Sequence, residues 1–221
     1  MSLNKRKKII YIFFALILLS GFTFYSYDEE NIAFDINDLY NYQKEFECEE
    51  IDICSSNDVK TYMDYRLTSD TSSVQYRFIR NNLYVDETGF LYDKDGFIAV
   101  ALGSYYGNIG DRYYFTLDSG IVIPLVKAES KADGDVYGGC YQRYDGSVIE
   151  FLIDTDKAQN YFGTYANGYV LQGNYNNYDL FHGYIVKVEK VVGDKVSDSI
   201  SYWSANKTPN KKETFNYASG Y

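Results

Sequence analysis

Residues 97–126, FIAVALGSYYGNIGDRYYFTLDSGIVIPLV, contain the patterns that decide the fold of this chain. The uninterrupted apolar run from Phe97 to Leu102 is typical of a buried strand. The aromatic run from Arg112 to Leu117 predicts a second strand. Asp118-Ser-Gly120 predicts a turn, after which residues 121–126 return as the partner strand of a hairpin.

Similar patterns extend on both sides of this stretch, over residues 59–192. Residues 147–154 form another apolar run, and residues 184–191 alternate apolar and charged side chains, as a half-exposed strand does. Short runs of this kind between Gly, Asn and Asp turns predict a mainly β domain of the barrel or sandwich type. Pro124 has no N–H to donate, so its strand should lie at an edge or a bulge there.

The beginning of the chain has the pattern of an export signal. A basic cluster at residues 5–8 precedes an uncharged stretch rich in Ile, Leu and Phe at residues 9–25. We expect residues 1–26 to be a signal anchor or signal peptide, with the remainder of the chain outside the membrane. No Ala-x-Ala cleavage site follows, which favours a single-pass anchor in the cell membrane. A cleaved signal and a secreted protein are the alternative.

The regions that flank the β domain are polar. Residues 27–58 are acidic and predict a stalk with one short helix near residues 36–47, and residues 193–221 predict a disordered polar tail. The formal charge of the chain is −10, and removing four basic residues of the amino-terminal cluster leaves −10 − 4 = −14. Nucleic-acid binding depends on phosphate neutralisation by Lys and Arg. We therefore expect no nucleic-acid partner.

The chain has three cysteines, Cys48, Cys54 and Cys140, and one histidine, His182. An exported location permits disulfides, and the short spacing makes Cys48–Cys54 the first choice. Three cysteines and one histidine do not match a zinc pattern, and Asp93-Lys-Asp-Gly96 predicts a tight turn rather than a calcium loop. We therefore predict no metal and no cofactor.

Three acidic residues are candidates for chemistry. Glu150 is embedded in an apolar strand, and alternation places Glu150 and Asp154 on one face. That face is either solvated or part of a cleft in which a carboxyl has a raised pKa. Asp133 follows a strand in a loop, where catalytic groups often lie, although the loop also fits an ordinary polar turn. The 26 tyrosines are either strand residues or surfaces on which sugar rings stack.

Four strings, Lys60–Arg66, Val100–Gly107, Lys131–Asp133 and Asp145–Asp154, together resemble a group of exported Firmicute proteins. These proteins look like the 3D domains, which are named for three aspartates. The resemblance implies a six-stranded double-psi β-barrel over residues 59–192, related to the core of membrane-bound lytic transglycosylase A.

The resemblance also implies an activity, which is cleavage of the peptidoglycan glycan strand to a 1,6-anhydro product. One carboxyl acts as acid and then as base in this reaction. The three aspartates of the family correspond to Ala101, Asp133 and Glu150, so that Asp133 is the expected acid/base. Glu150 tunes it or binds the substrate, and Asp154 is a weaker candidate. The alternative is a non-catalytic wall-binding or interaction module, which Ala101 favours.

Overall fold

The computed structural model describes residues 36–164, Tyr175 and residues 178–195, all within one compact unit of the chain. The expected signal segment at residues 1–26 lies outside the described residues, as does nearly all of the expected tail at residues 193–221. Within the part of the chain that the structure describes, no helix has the length and apolar character needed to span a bilayer.

The described residues are mainly β, as predicted, with one large sheet and a separate two-stranded ribbon. The strands are β1 (Phe46–Ile51), β2 (Thr61–Asp64), β3 (Tyr84–Val85), β4 (Leu91–Tyr92), β5 (Ile98–Leu102), β6 (Arg112–Leu117), β7 (Val122–Ser130), β8 (Val136–Tyr137), β9 (Tyr141–Gln142), β10 (Glu150–Ile153) and β11 (Ile185–Lys195). The helices are α1 (Val74–Asn82) and α2 (Thr155–Phe162), with 3₁₀ turns at Ile36–Asn41, Tyr65–Leu67, Ser104–Tyr106, Asp133–Asp135 and Asp179–Phe181.

The large sheet has the strand order β1-β11-β6-β7-β5-β10-β2, and β4 joins β3 to the side of β5. The pairs β5–β7 and β10–β2 are parallel, whereas β5–β10, β6–β7, β6–β11 and β1–β11 are antiparallel. In the described residues this path does not close into a barrel. The structure therefore differs from the closed double-psi barrel that the resemblance implies, because local patterns predict strands but not the partners of each strand.

Apolar side chains pack on both faces of the sheet. Along β5, Ile98, Val100 and Leu102 belong to one hydrophobic core, and Ala99 and Ala101 belong to the other. This division follows from the alternation of side chains along a strand. A strand that is covered on both faces has a continuous apolar sequence, and this explains the pattern that predicts β5.

The segment that was expected to be a stalk, residues 27–58, contributes to the domain wherever it is described. Ile36 and Leu39 of the first 3₁₀ turn are buried in one core. β1 pairs with β11, and the ring of Phe46 lies 5.5 Å from that of Phe97. The short helix predicted here is thus a 3₁₀ turn followed by a strand. The acidic composition misled the prediction because β1 is an edge strand, whose glutamates face solvent and a lysine of β11.

The predicted hairpin is confirmed as β6 and β7, and Pro124 lies opposite Tyr114. The N–H of Leu117 donates to the carbonyl of Ile121, so alternation makes the Tyr114–Pro124 pair a non-hydrogen-bonded one. The proline nitrogen therefore faces away from β6. On that side β5 begins only opposite Leu125, so β7 has a local edge at Pro124, as predicted.

The disulfide joins Cys54 to Cys140, and the predicted Cys48–Cys54 pair is wrong. Cys48 is free and lies in β1 beside Glu189 of β11. The Cα atoms of Cys54 and Cys140 lie 6.1 Å apart, within the range that a disulfide spans. The short spacing between Cys48 and Cys54 did not predict the disulfide, because the pairing of β1 with β11 places Cys48 beside Glu189.

Candidate functional site

The carboxyl end of β5 brings two glutamates together across one alanine. Ala101 lies opposite Glu150 of β10 on one side and opposite Glu129 of β7 on the other. Glu150 in turn lies opposite Thr61 of β2. Residues directly opposite each other place their side chains on the same face of a sheet. These four residues, Glu129, Ala101, Glu150 and Thr61, therefore form a row across four strands, which we call the acid row.

A bulge in β7 decides that Glu129 belongs to the acid row. Val100 lies opposite Lys127. The next residue of β5, Ala101, lies opposite Glu129, so that Ala128 is an extra residue on β7. Without the bulge Glu129 would be one position out of register and would point to the other face. Bulges often re-aim side chains in this way beside functional sites.

Glu150 has an environment that disfavours its charge. Burial raises the pKa of its carboxyl, and the negative charges of Asp145 and Glu129 add to the shift. The positive charge of Lys131 works against it. Among the described residues, none forms a hydrogen bond with the Glu150 carboxylate. A carboxyl of this kind holds its proton to a higher pH than an ordinary glutamate does, as a general acid must.

Lys131 connects the end of β7 to the beginning of β10. Its Nζ donates to the carbonyl oxygen of Ser147 at 3.0 Å and to the Ser147 Oγ at 3.1 Å. Its backbone N–H donates to the carbonyl of Leu102 at 3.1 Å. Burial lowers the pKa of Lys131, and the charges of Glu150 and Asp145 oppose this shift. The ammonium thus fixes the strand ends that carry the acid row.

Glu129 is the member of the acid row that sequence reasoning missed. Its Oε2 accepts a hydrogen bond from Thr68 Oγ1 at 2.6 Å, and its Oε1 accepts one from the backbone N–H of Ser130 at 2.8 Å. These donors stabilise and orient the carboxylate. The signal in the sequence was an acidic residue just beyond the predicted end of β7. Only the bulge, which has no local signature here, places Glu129 on the same face as Glu150, with Ala101 between them.

Asp133 lies at the same edge of the sheet. It begins the 3₁₀ turn after β7, and its Oδ1 accepts a hydrogen bond at 2.6 Å from Ser104 Oγ, which follows β5. The two strands are parallel, so their carboxyl ends meet at one edge. Asp133 is exposed, and no hydrogen bond or ion pair joins it to Glu150 among the described residues.

Asp154 lies at the other end of β10, about 13 Å from Glu150 along an extended strand. Its carboxylate accepts from the backbone N–H groups of Asp156 and Lys157 and so caps the amino terminus of α2. Arg66 lies 3.8 Å from it. Alternation had suggested that Asp154 and Glu150 share a face, but the structure gives Asp154 the position of a helix cap.

The described residues contain no group of three or more His, Cys, Asp or Glu side chains that could hold a metal ion. His182 is exposed and follows the last 3₁₀ turn. Comparison of the chain with protein-family models, with curated proteins and with solved structures found no match. A functional assignment therefore depends on the acid row and its surroundings.

Proposed function

We propose that this protein is an extracytoplasmic cell-wall protein that cleaves the glycan strand of peptidoglycan in the manner of a lytic transglycosylase. The observation that carries the proposal is Glu150, a partly buried carboxyl whose pKa is raised by burial and by neighbouring acids. The four strings that resemble 3D-domain proteins support the substrate class. The basic and apolar pattern of residues 1–26 supports attachment to the membrane, with the domain outside the cell.

In this proposal Glu150 is the acid/base. Its protonated carboxyl donates a proton to the glycosidic oxygen as the bond from that oxygen to C1 breaks. The resulting carboxylate takes the proton of the muramic acid 6-hydroxyl as O6 bonds to C1. The product is a 1,6-anhydro sugar, and no water is consumed. A single carboxyl performs both steps best when its pKa lies near neutrality.

The roles of Glu150 and Asp133 are thereby exchanged relative to the expectation from sequence. Asp133 is exposed and accepts a hydrogen bond from Ser104, so its carboxylate is suited to contact substrate hydroxyl groups. Glu150 is the more buried of the two acids. Glu129, held by Thr68, provides a fixed negative charge that favours protonated Glu150 and then the positively charged transition state.

A second candidate function is a wall-binding module that has no catalytic activity. The observation that favours it is Ala101, which lies between Glu129 and Glu150 in the acid row where the resemblance places an aspartate. A methyl group there can neither donate a proton nor bind a sugar hydroxyl. In this case the acids at the sheet edge would contact the glycan without cleaving it.

The test is digestion of purified peptidoglycan by the full-length protein in mild detergent, with the products read by mass spectrometry. We expect 1,6-anhydro products from the wild-type protein. Glu150→Gln should reduce their formation at least about 100-fold, and Asp133→Asn about tenfold. The matched control is Asp135→Asn, which removes a neighbouring exposed carboxylate outside the acid row. Equal activity of the Glu150→Gln and wild-type proteins would refute the assignment. Binding without products would favour the second candidate.

A further inference from the structure

The two-stranded ribbon of β8 and β9 has one inward and one outward face. Val136 is buried and lies opposite Gln142, and Tyr137 lies opposite Tyr141. Alternation therefore places Tyr137, Tyr141 and Arg143 together on the outward face. We call these three residues the tyrosine platform.

The side chains of the tyrosine platform contact one another. Tyr137 and Arg143 are exposed, whereas Tyr141 is partly buried and packs against the core. The ring centroids of Tyr137 and Tyr141 lie 5.5 Å apart, and the Arg143 guanidinium lies 4.5 Å from the centroid of the Tyr137 ring. Tyr137 is 49% exposed, and Tyr144, on the adjoining turn, is 96% exposed. Exposed aromatic rings in contact with a guanidinium are typical of binding surfaces.

The ribbon is fixed firmly to the body of the domain. The disulfide between Cys54 and Cys140 joins it to the segment before β2. The carbonyl oxygen of Gly139 accepts from the N–H of Tyr105 at 3.0 Å, and a Cβ at Gly103 would lie 1.8 Å from that oxygen. Only glycine allows the ribbon to approach so closely. A surface held in this way loses little conformational entropy when a ligand binds.

The position of the tyrosine platform connects it to the candidate site, because β8 directly follows the 3₁₀ turn that begins with Asp133. The chemistry of the platform suits a pyranose ring. An aromatic face packs on the apolar C–H face of the sugar, while phenol and guanidinium groups bind its hydroxyl and acetamido oxygens. The nearby carboxylates of Asp133 and Asp135 disfavour a strongly anionic polymer.

We propose that the tyrosine platform binds pyranose rings of a β-1,4-linked amino-sugar strand and so positions that strand beside Asp133 and the acid row. This inference rests on the proposed function, since it takes the substrate class from there. It adds a binding surface whose residues belong neither to the acid row nor to the four strings that resemble 3D-domain proteins. Binding at the platform does not require the chemistry at Glu150.

The experiment measures binding of a soluble β-1,4-linked N-acetylglucosamine oligomer by the full-length Glu150→Gln protein, so that cleavage cannot interfere. In this background, replacing both Tyr137 and Tyr141 by Ala should weaken binding about tenfold, and Arg143→Gln about threefold. The matched control is Tyr184→Ala. Tyr184 is 53% exposed and lies beside Asp118, at the end of the sheet where β7 begins. Its replacement should leave binding unchanged.

The inference is overturned if the parent protein does not bind the oligomer, or if the double variant binds as the parent does. It is also overturned if Tyr184→Ala weakens binding as much as the platform variants do. Circular dichroism of each variant confirms that the fold is intact. Failure of the proposed function has a separate signature, namely platform-dependent binding without any 1,6-anhydro product from the wild-type protein.

Discussion

At the scale of single residues, the described part of this acidic protein contains three buried lysines. Lys60, Lys127 and Lys131 are all buried, and each donates from Nζ to backbone carbonyl oxygens. For Lys60 the acceptors belong to Asp58 and Gly183, and burial lowers its pKa to about 8 against the opposing charges of nearby aspartates. These ammonium groups supply hydrogen-bond donors to carbonyl oxygens of the loops that they reach.

Glu150 is the partly buried acid for which we predict a measurable effect on stability. Burial raises the pKa of Glu150 in the folded protein, so its contribution to stability is complete below the ordinary glutamate pKa and is lost as the pH rises through the folded value. Glu150→Gln removes the ionisable carboxyl, so the variant does not lose this contribution as the pH rises. We expect the variant to be about 1 kcal/mol more stable than wild type at neutral pH, or roughly 3 °C in melting temperature.

Thermal unfolding followed by circular dichroism at several pH values measures this effect. The gain should disappear at low pH, because both side chains are then neutral. A control is Asp145→Asn, which removes a negative charge that raises the pKa of Glu150, so the loss of stability with rising pH should be smaller in this variant. A stability difference that does not change with pH would contradict the assignment of a raised pKa to Glu150.

At the scale of secondary-structure elements, a strand irregularity and a few close contacts between segments position the candidate site. The bulge at Ala128 turns Glu129 toward the acid row. The disulfide and the close approach of Gly103 to Gly139 hold the β8–β9 ribbon beside the end of β5. The bulge interrupts the regular register of β7. The disulfide and the Gly103–Gly139 approach are contacts between segments that are distant in sequence.

The disulfide is expected to stabilise the domain considerably. Cys54 and Cys140 are separated by 86 residues, and closing a loop of that length restricts the unfolded chain by about 4.6 kcal/mol. Replacing both cysteines by Ser should lower the unfolding free energy by roughly 2–4 kcal/mol, as measured in urea under oxidising conditions. Cys48→Ser is the matched control and should change stability little, since Cys48 is a free thiol. If Cys48→Ser alone destabilised the domain as much as the double variant does, Cys48 would have to take part in the bridge.

At the scale of the whole molecule, the sheet is continuous from β1 to β2 and buries apolar side chains on both faces. The amino-terminal segment contributes to both cores, with Ile36 and Leu39 on one face and Phe46 on the other. The domain therefore begins earlier in the chain than the composition indicated, and its β strands extend past residue 192 to Lys195.

This arrangement predicts the effect of truncation. A chain that begins at residue 59 lacks β1 and three buried apolar side chains, each worth about 2 kcal/mol of burial. That loss is comparable to the stability of a typical domain. We expect a fragment of residues 34–221 to unfold cooperatively and a fragment of residues 59–221 to be largely unfolded, as measured by near-UV circular dichroism and amide exchange.

The shorter fragment also lacks Cys54, so the control is Cys54→Ser in the longer fragment, which removes the bridge but keeps β1. This control should remain folded, although it should be less stable than its parent. A well-folded fragment of residues 59–221 would support the stalk that the composition suggested.

Local sequence patterns alone predict the mainly β class, the strand observed at Ile98–Leu102, the β6–β7 hairpin and the local edge at Pro124. Each of these features follows from a local property of the chain. These properties are the two-residue period of a strand, the backbone conformations that turn residues can adopt, and the missing N–H of proline. Such features need no knowledge of which distant segments will meet.

No local pattern predicts the pairing of Cys54 with Cys140, the membership of Glu129 in the acid row or the open path of the sheet, because each depends on how distant segments meet. The physical reason is that strand partners are chosen by the burial of the whole core. A shift of register by one residue, such as the bulge at Ala128 produces, moves a side chain to the opposite face of the sheet. Glu150 was a candidate from its sequence alone, but its neighbours are contributed by β5, β7 and β2, which lie far from it in the chain.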